Sequence, residues 1–242
     1  MMTAAESLIP LSDLALLQRF NALDGFLVAH QALWKPRPFT HRTLPWEQQY
    51  PELAAWLRSR TLEQAEASHN QPAALDSAPA PFPELALQAD RLSQIGDLPQ
   101  QASADLPARF SVDVPGRKWQ QIRAFGSSLG FAQAPRHWLD WCAGKGHLGR
   151  VLAHGVQKLT CLEYDPALVA SGAALSQRLG INAQHIEQDV LAEDAGALLH
   201  AEHSPVALHA CGDLHVRLMQ LASAAGCRHL AIAPCCLSLI HI

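Results

Sequence analysis

The 242-residue chain lacks any apolar run that approaches the roughly 18 residues needed to cross a membrane. Its N-terminus carries acidic residues early and has no basic stretch, which is not the pattern of a secretory signal peptide. Charged residues make up only 17% and the formal net charge is −4, so the overall charge does not indicate a nucleic-acid partner. These absences favour neither a membrane span nor export.

Cysteine is present but is not arranged as a disulfide scaffold. The chain has six cysteines, few for its length, and two of them are adjacent. We therefore expect reduced thiols and a cytoplasmic protein. Apolar residues make up 49%, which is enough to bury a sizeable core.

The character of the chain changes near residue 115. Residues 1–114 predict a mainly helical N-terminal region, with a Pro- and Ala-rich linker near 70–84. Within it, residues 51–68 have apolar side chains at helical spacing. Residues 32–46 alternate bulky aromatics, prolines and three basic residues, Lys35, Arg37 and Arg42. This pattern suits either a substrate-facing lip or a loop fixed by its prolines and packed by its tryptophans.

Residues 115–236 predict strands and helices in alternation. This order implies right-handed crossovers and a doubly wound, mostly parallel α/β sheet that is covered on both faces. The predicted strands are 137–141, 158–165, 183–190, 205–212 and 227–236, and the predicted helices are 118–130, 148–156, 166–180, 195–202 and 213–226.

The loop after the first strand, within LDWCAGKGHLG at 139–149, is rich in glycine. Gly144 and Gly146 remove side chains, so that backbone can approach a ligand near the start of the next helix. A phosphate-binding P-loop is excluded, because Lys145 is followed by Gly146 instead of Ser or Thr and Leu139 stands where a glycine is needed.

Two ligands remain for this loop, a dinucleotide and S-adenosylmethionine. Glu163 lies 19 residues after Gly144, where a ribose-binding acid of a dinucleotide site belongs. However, acids follow three successive strands: Asp140 for an ammonium group, Glu163 for ribose hydroxyls and Asp189 for an adenine amino group. An ammonium, a diol and an exocyclic amine suit these three acids better than a pyrophosphate does, which favours S-adenosylmethionine.

Several short segments resemble, in order, those of a class I methyltransferase: DWCAGKGHLGRVLA, LEYDPALV, EQDV, ALHACGDL and AIAPCC. More narrowly, they resemble a methyltransferase-like family with GKGHL, HACGDL and PCC motifs. The eukaryotic tRNA 2′-O-methyltransferases of the acceptor stem are similar in their H-x-C-G and C-C pair, so the resemblance suggests an RNA acceptor. Cys142 departs from the pattern, since many class I enzymes have glycine there.

The resemblance implies a Rossmann-like fold and a site at the strand ends. The residues expected to bind the cofactor are Asp140, Cys142, Ala143, Gly144, Gly146, His147, Glu163, Tyr164, Asp189 and Val190. The residues expected to be catalytic are His209, Cys211 and Asp213, and Cys235 and Cys236 are expected to line the acceptor side with them. His209 is of a residue type that often acts as a general base, whereas Asp213 also suits a helix cap.

The cysteines allow two further hypotheses. His209, Cys211, Cys235 and Cys236 would form a zinc site if they met at adjacent strand ends, but their spacing is not that of a known finger. Alternatively, a thiolate would attack a pyrimidine ring, as in cytosine carbon-5 methyltransferases. We favour thiols that pack the end of the sheet, and we expect no metal.

The last six residues, 237–242, are those that CTGTCTCTTATACACATC encodes, the end of a sequencing transposon adapter. We expect this tail to be adapter-encoded and the methyltransferase domain to be truncated at its C-terminus, since the usual later strands do not follow. The rival functions are an NAD(P)-dependent Rossmann oxidoreductase and a non-catalytic methyltransferase-like scaffold.

Overall fold

The computed structural model describes residues 11–37, 42–69, 71–75, 77–98, 101, 105–131, 133–155 and 157–234. The chain forms two compact units, 1–98 and 99–242. The domain limits expected from the sequence, 1–114 and 115–236, stay a prediction. Cys235, Cys236 and the tail 237–242 lie outside the described residues. No helix in the described part of the chain is both long and apolar enough to cross a membrane.

The first unit is helical where it is described. Its helices are α1 (Asp13–Ala29), α2 (Gln31–Trp34), α3 (Pro51–Ser59), α4 (Leu62–Ala67) and α5 (Phe82–Ser93), with short 3-10 helices at Pro45–Glu47 and Pro72–Ala74. The predicted helix over 51–68 is therefore two helices. They are separate because Thr61 caps the second one: its hydroxyl accepts the N–H of Gln64 at 3.2 Å.

The second unit, in its described residues, is built on five parallel strands. They are β1 (His137–Trp141), β2 (Lys158–Glu163), β3 (Ala183–Glu187), β4 (His203–Leu208) and β5 (Ala231–Ala233), in the order β3-β2-β1-β4-β5. All four pairings are parallel, which confirms the predicted doubly wound α/β fold.

Helices connect these strands, as parallel pairing requires. The connections contain α7 (His147–Leu152), α8 (Pro166–Leu179), the 3-10 helix Glu193–Leu198 and α9 (Asp213–Ala224). The 3-10 helix Ala108–Phe110 and α6 (Gly116–Ser127) precede β1. The ends of α8 follow from its sequence. Asp165 caps its first turn by accepting the N–H of Ala167 at 2.8 Å, and Gly180 ends it with a φ of +69°.

Side chains of β1 alternate between two buried layers. Leu139 and Trp141 pack on one face with Leu218 and Ala222 of α9. Trp138 packs on the other face in the core layer that contains Ile122 of α6 and Leu148 of α7. Because both faces are covered, β1 is buried along almost its whole length and holds the loop that follows it in a fixed place.

Some element limits differ from the sequence prediction, each for a local reason. The fourth strand ends at Leu208, not at residue 212, because His209 has a φ of +69° and cannot continue the pleat. The fifth strand stops before Pro234, which has no N–H to donate to a ladder. The helix expected over 195–202 is the 3-10 helix Glu193–Leu198, and α6 ends at Ser127, before Gly130.

We expect Gly149→Ala to destabilise the second unit by about 1–3 kcal/mol, because the space beside this helical glycine is already filled. A Cβ there would lie 2.5 Å from Leu159 Cδ1 and 3.0 Å from Asp140 Oδ2. Gly126→Ala is the matched control: Gly126 is also helical, but its nearest neighbour would be 3.4 Å away. Urea unfolding should show a stable control and a weakened Gly149→Ala, and equal stabilities would contradict the packing.

Candidate functional site

The five strands end at the same edge of the sheet, and those predicted site residues that the structure describes lie there. The chain runs from β1 outward to β3 and then crosses back to β4 on the other side of β1. Strand order therefore reverses between β1 and β4. Ligands of doubly wound sheets bind in the crevice at this switch point, beyond the carboxyl ends of the strands.

The glycine-rich loop has left-handed backbone at three positions, Cys142, Gly144 and Gly146, with φ of +56°, +57° and +72°. A Cβ on Gly144 would meet no atom of the described residues within 4 Å, so this position is open to a ligand. A Cβ on Gly146 would lie 2.8 Å from His185 Cε1 and 3.0 Å from Cys161 Sγ. The missing side chain of Gly146 therefore makes room for His185 and Cys161, whereas the space beside Gly144 is open to a ligand.

Glu163, at the end of β2, is bonded to the glycine loop. One carboxylate oxygen accepts the N–H of Gly144 at 2.7 Å, and the other accepts the N–H of Asp165 at 3.0 Å. The backbone adds a further link, since Ala143 donates its N–H to the carbonyl of Leu162 at 2.9 Å. Each oxygen of Glu163 keeps a second lone pair, so the carboxylate can still accept from a ligand hydroxyl.

Asp140 lies beneath the loop and is only 2% exposed. Its carboxylate accepts the N–H of Gly149 at 2.8 Å, so it fixes the first turn of α7 to β1. Burial raises the pKa of Asp140 to about 7, although the Gly149 N–H and the charge of Arg150 act in the opposite direction. Its expected contact with a ligand ammonium stays a prediction.

Arg150 is a residue of this site that the sequence analysis missed. It is 2% exposed, and its guanidinium donates to the carbonyl of Lys145 in the glycine loop. The same group lies 2.9 Å from His147 Nδ1, which accepts because guanidinium is only a donor. The available signal was a lone arginine inside the otherwise apolar first turn of a helix that follows a glycine loop.

His147 and His185 complete the buried layer under the loop. Burial, with a further effect from the charge of Arg150, lowers the pKa of each imidazole to about 4. His185 Nε2 lies 2.9 Å from the hydroxyl of Ser176. The layer is therefore a neutral pair of imidazoles around one buried cation, and it supports the loop from below.

The residues after β2 and β3 are more exposed. Tyr164 is 72% exposed, and Asp189 is also exposed while its carboxylate accepts the N–H of Leu191 at 2.9 Å. Val190 is only 4% exposed and packs into the core. A ligand at this edge can reach the side chains of Tyr164 and Asp189, whereas the side chain of Val190 is used by the core.

His209 follows β4 and is held from two sides. Its N–H donates to the carbonyl of Ala233 at 3.0 Å, and its Nε2 lies 3.1 Å from Gln121 Oε1 on α6. Its φ of +69° is an uncommon conformation for a residue with a side chain. With the carbonyl oxygen of Gln121 as acceptor, Nε2 carries the proton and the lone pair lies on Nδ1.

The remaining predicted catalytic residues lie directly after His209. Cys211 is half-buried, and Asp213 is exposed as the first residue of α9. Gly212, not Asp213, occupies the cap position, with φ of +60° and ψ of −134°. The start of α9 is fixed to β1, because the indole N–H of the buried Trp141 donates to the carbonyl of Leu214 at 3.0 Å.

The two cysteines nearest the loop are not activated thiols. Burial, followed by the charges of Glu163, Asp140 and Asp189, raises the pKa of Cys142 to about 12. Burial also raises the pKa of Cys161 well above its usual range. Both thiols are therefore protonated near neutral pH. They act as packing groups and are weak nucleophiles, because only a thiolate is a strong nucleophile.

Residues 117–241 match a protein family described as a methyltransferase domain. No curated protein sequence matches the chain significantly. The matched residues cover slightly more than half of the chain and include every site residue described above.

Among solved structures, the chain is similar to one described as a precorrin 8W decarboxylase from Methanobacterium thermoautotrophicum. The two are 16% identical, with a TM-score of 0.34, over 40% of this chain and 53% of that one. The chain therefore spans about half the length of that protein.

We expect acid to destabilise the second unit between about pH 6.5 and pH 4, because buried histidines gain protons when it unfolds. The pKa of His147, His185 and His203 is lowered to about 4, so the stability that each contributes is full above about pH 6.5 and is lost as the pH falls. Asp140 has the opposite sign: its pKa is raised, so its contribution is full at low pH and is lost as the pH rises to about 7.

Asp140→Asn removes this opposing contribution and keeps an oxygen for the N–H of Gly149. The unfolding free energy of the variant should therefore fall more steeply with acid, by about 1.4 kcal/mol per pH unit for the single proton. Urea unfolding at several pH values between about 4.5 and 6.5 measures this slope. Equal slopes in the two proteins would mean that Asp140 is ionised in the fold.

Proposed function

The chain belongs to a family of methyltransferase domains, which it matches over residues 117–241, and we propose on this premise that it transfers the methyl group of S-adenosylmethionine to an RNA acceptor. The observation that carries the proposal is the bond between the Glu163 carboxylate and the N–H of Gly144, 2.7 Å long. It joins the open position of the glycine loop to an acid at the next strand end, so one ligand can contact both.

The residues present fit this cofactor. The space above Gly144 would receive its amino-acid part, with Cys142, Ala143 and Gly146 shaping the loop. The free lone pairs of Glu163 suit the ribose hydroxyls, and the exposed carboxylate of Asp189 suits the adenine amino group. Because Asp140 is buried and its pKa is raised, we assign it the role of supporting the loop beneath the ligand.

S-adenosylmethionine supplies an electrophilic methyl group on a sulfonium, so the protein mainly has to align an acceptor with it. His209 is placed to take the acceptor's proton, because Gln121 holds its Nε2 and leaves Nδ1 as the basic nitrogen. Its left-handed backbone is the kind of conformation that is retained where function requires it. Cys211 and Asp213 flank the same edge and would contact the acceptor.

An RNA acceptor is supported by the charge of α6. This helix carries Arg117, Lys118 and Arg123 and no acidic residue, and all three basic side chains are exposed. Lys118 is near enough to the loop for its charge to lower the pKa of both Asp140 and His147. These basic side chains would attract the phosphates of a nucleic acid independently of its sequence. The resemblance of the HACGDL segment to tRNA methyltransferases points the same way.

Two other functions remain as rivals. An NAD(P)-dependent oxidoreductase would use the same glycine loop and Glu163 for a dinucleotide. A non-catalytic scaffold would keep the fold and transfer no methyl group. The ligand that binds distinguishes the oxidoreductase from our proposal. Transfer of a methyl group distinguishes the scaffold from it.

Gly144→Arg should abolish binding of S-adenosylmethionine, because it fills the open position of the loop. Gly180→Arg is the matched control: both glycines have a left-handed backbone and open space around them, with φ of +57° and +69°. The two variants therefore carry similar backbone strain, and Gly180 lies away from the site, after α8. Titration calorimetry of both, with S-adenosylmethionine and with NADH, measures the effect.

Binding of S-adenosylmethionine by the wild type and by Gly180→Arg, but not by Gly144→Arg, would support the proposed cofactor. Binding of NADH in its place would favour the oxidoreductase. Equal binding of S-adenosylmethionine by the two variants would show that the glycine loop is not part of the binding site.

Gln121→Leu should lower kcat for methyl transfer about 10- to 100-fold and leave KM for S-adenosylmethionine unchanged, because it releases the ring of His209 without touching the cofactor loop. Gln121→Glu should keep most of the activity and move the acidic limb of the pH–rate profile to higher pH, since a carboxylate stabilises the imidazolium. Gln120→Leu, at the exposed neighbouring position, is the control.

The assay is transfer of labelled methyl to total RNA. An unchanged kcat in Gln121→Leu would contradict the positioning of His209. Label that appears in protein or in small molecules, and not in RNA, would contradict the RNA acceptor alone.

A further inference from the structure

A second group of polar side chains lies at the opposite edge of the sheet, where the strands begin. His137 is the first residue of β1 and His203 is the first residue of β4, and the two are paired in register. Their rings meet edge to face, with centroids 4.3 Å apart. Glu202 directly precedes His203, and potential ligand atoms of all three residues lie within 4.8 Å of one another.

We propose that His137, Glu202 and His203 form a zinc site. Two imidazoles and one carboxylate are a donor set that zinc uses when it keeps a fourth position open for another ligand. The site is separate from the proposed methyl-transfer site. The five residues of β1 place about 13 Å between His137 and the glycine-loop edge, at about 3.3 Å per residue.

The hydrogen bonds of the two imidazoles indicate which ring nitrogens could bind a metal. His137 Nε2 lies 2.9 Å from the hydroxyl of Thr160. If Nε2 donates to that oxygen, the lone pair of Nδ1 is free, and the hydroxyl orients the ring as outer partners of metal-binding histidines do.

His203 Nδ1 accepts the N–H of His200 at 3.1 Å, so the neutral ring carries its proton on Nε2. A metal bound to Nδ1 would replace this hydrogen bond. Tetrahedral zinc with bonds of about 2.0–2.1 Å places its ligand atoms about 3.3 Å apart, so the group must contract slightly. Glu202 is exposed and can supply this movement through its flexible side chain.

The surroundings indicate what the open position would take. Glu202 and His203 line a cavity of 990 Å³ whose wall also includes three basic side chains, Arg136, Lys158 and Arg228. These charges disfavour an isolated cation but favour an anion bound to it. The structure therefore assigns this edge a metal that holds an anionic ligand, such as a carboxylate or phosphate group.

The test is titration of the wild-type chain with Zn²⁺ by calorimetry, with and without inorganic phosphate, followed by Co²⁺ absorption spectra. Glu202→Gln is the decisive variant, because the exposed side chain can change without loss of the core. We expect the wild type to bind Zn²⁺ at one site, and more tightly when phosphate is present. The affinity for Zn²⁺ should fall by about tenfold or more in Glu202→Gln and in His137→Ala.

Two controls separate this site from other ligands in a chain with 13 histidines. Glu187→Gln changes an exposed acid at the far end of β3, and His154→Ala changes an exposed histidine after α7. Both should bind zinc as the wild type does. Zinc binding that survives both Glu202→Gln and His137→Ala, or no binding by the wild type, would overturn the proposal, and neither result bears on methyl transfer.

Discussion

The carboxylate of Glu163 joins the loop after β1 to the loop after β2, and the candidate cofactor site depends on this contact. It accepts the N–H groups of Gly144 and Asp165, and so it sets the glycine loop against the start of α8. From below, Arg150 holds the carbonyl of Lys145, and from β1 Asp140 holds the N–H of Gly149. The loop is therefore fixed before any ligand arrives, which lowers the conformational entropy lost on binding.

The fold was predictable because its signals are local. Alternating apolar strands and helices define a parallel sheet, and Asp165, Pro166 and Gly180 fix the ends of α8 as their residue types predict. The sequence also placed Glu163 and His209 at strand ends, where the structure has them. The strand limits were less predictable, since the left-handed backbone of His209 ends β4 early and no residue type demands that conformation.

The parts of the site that escaped prediction are contacts between distant positions. Gln121 and His209 are 88 residues apart, and only the packing of α6 beside β4 brings them together. His185 fills the space beside Gly146, and Asp140 accepts the N–H of Gly149, whereas the expected contacts of both residues with a ligand stay predictions. A ligand and the protein's own side chains select the same residue types, small ones for close approach and acids for N–H groups, so the pattern alone cannot separate them.

Hydrogen exchange of the second unit, with S-adenosylmethionine or NADH added, tests the central claim most directly. The account predicts that S-adenosylmethionine slows exchange in two peptides, the glycine loop 141–149 and the β2 end 163–167, because both carry N–H groups bonded to Glu163. NADH should leave both unchanged. Protection by NADH, or by S-adenosylmethionine in neither peptide, would contradict a methyltransferase site organised around this carboxylate.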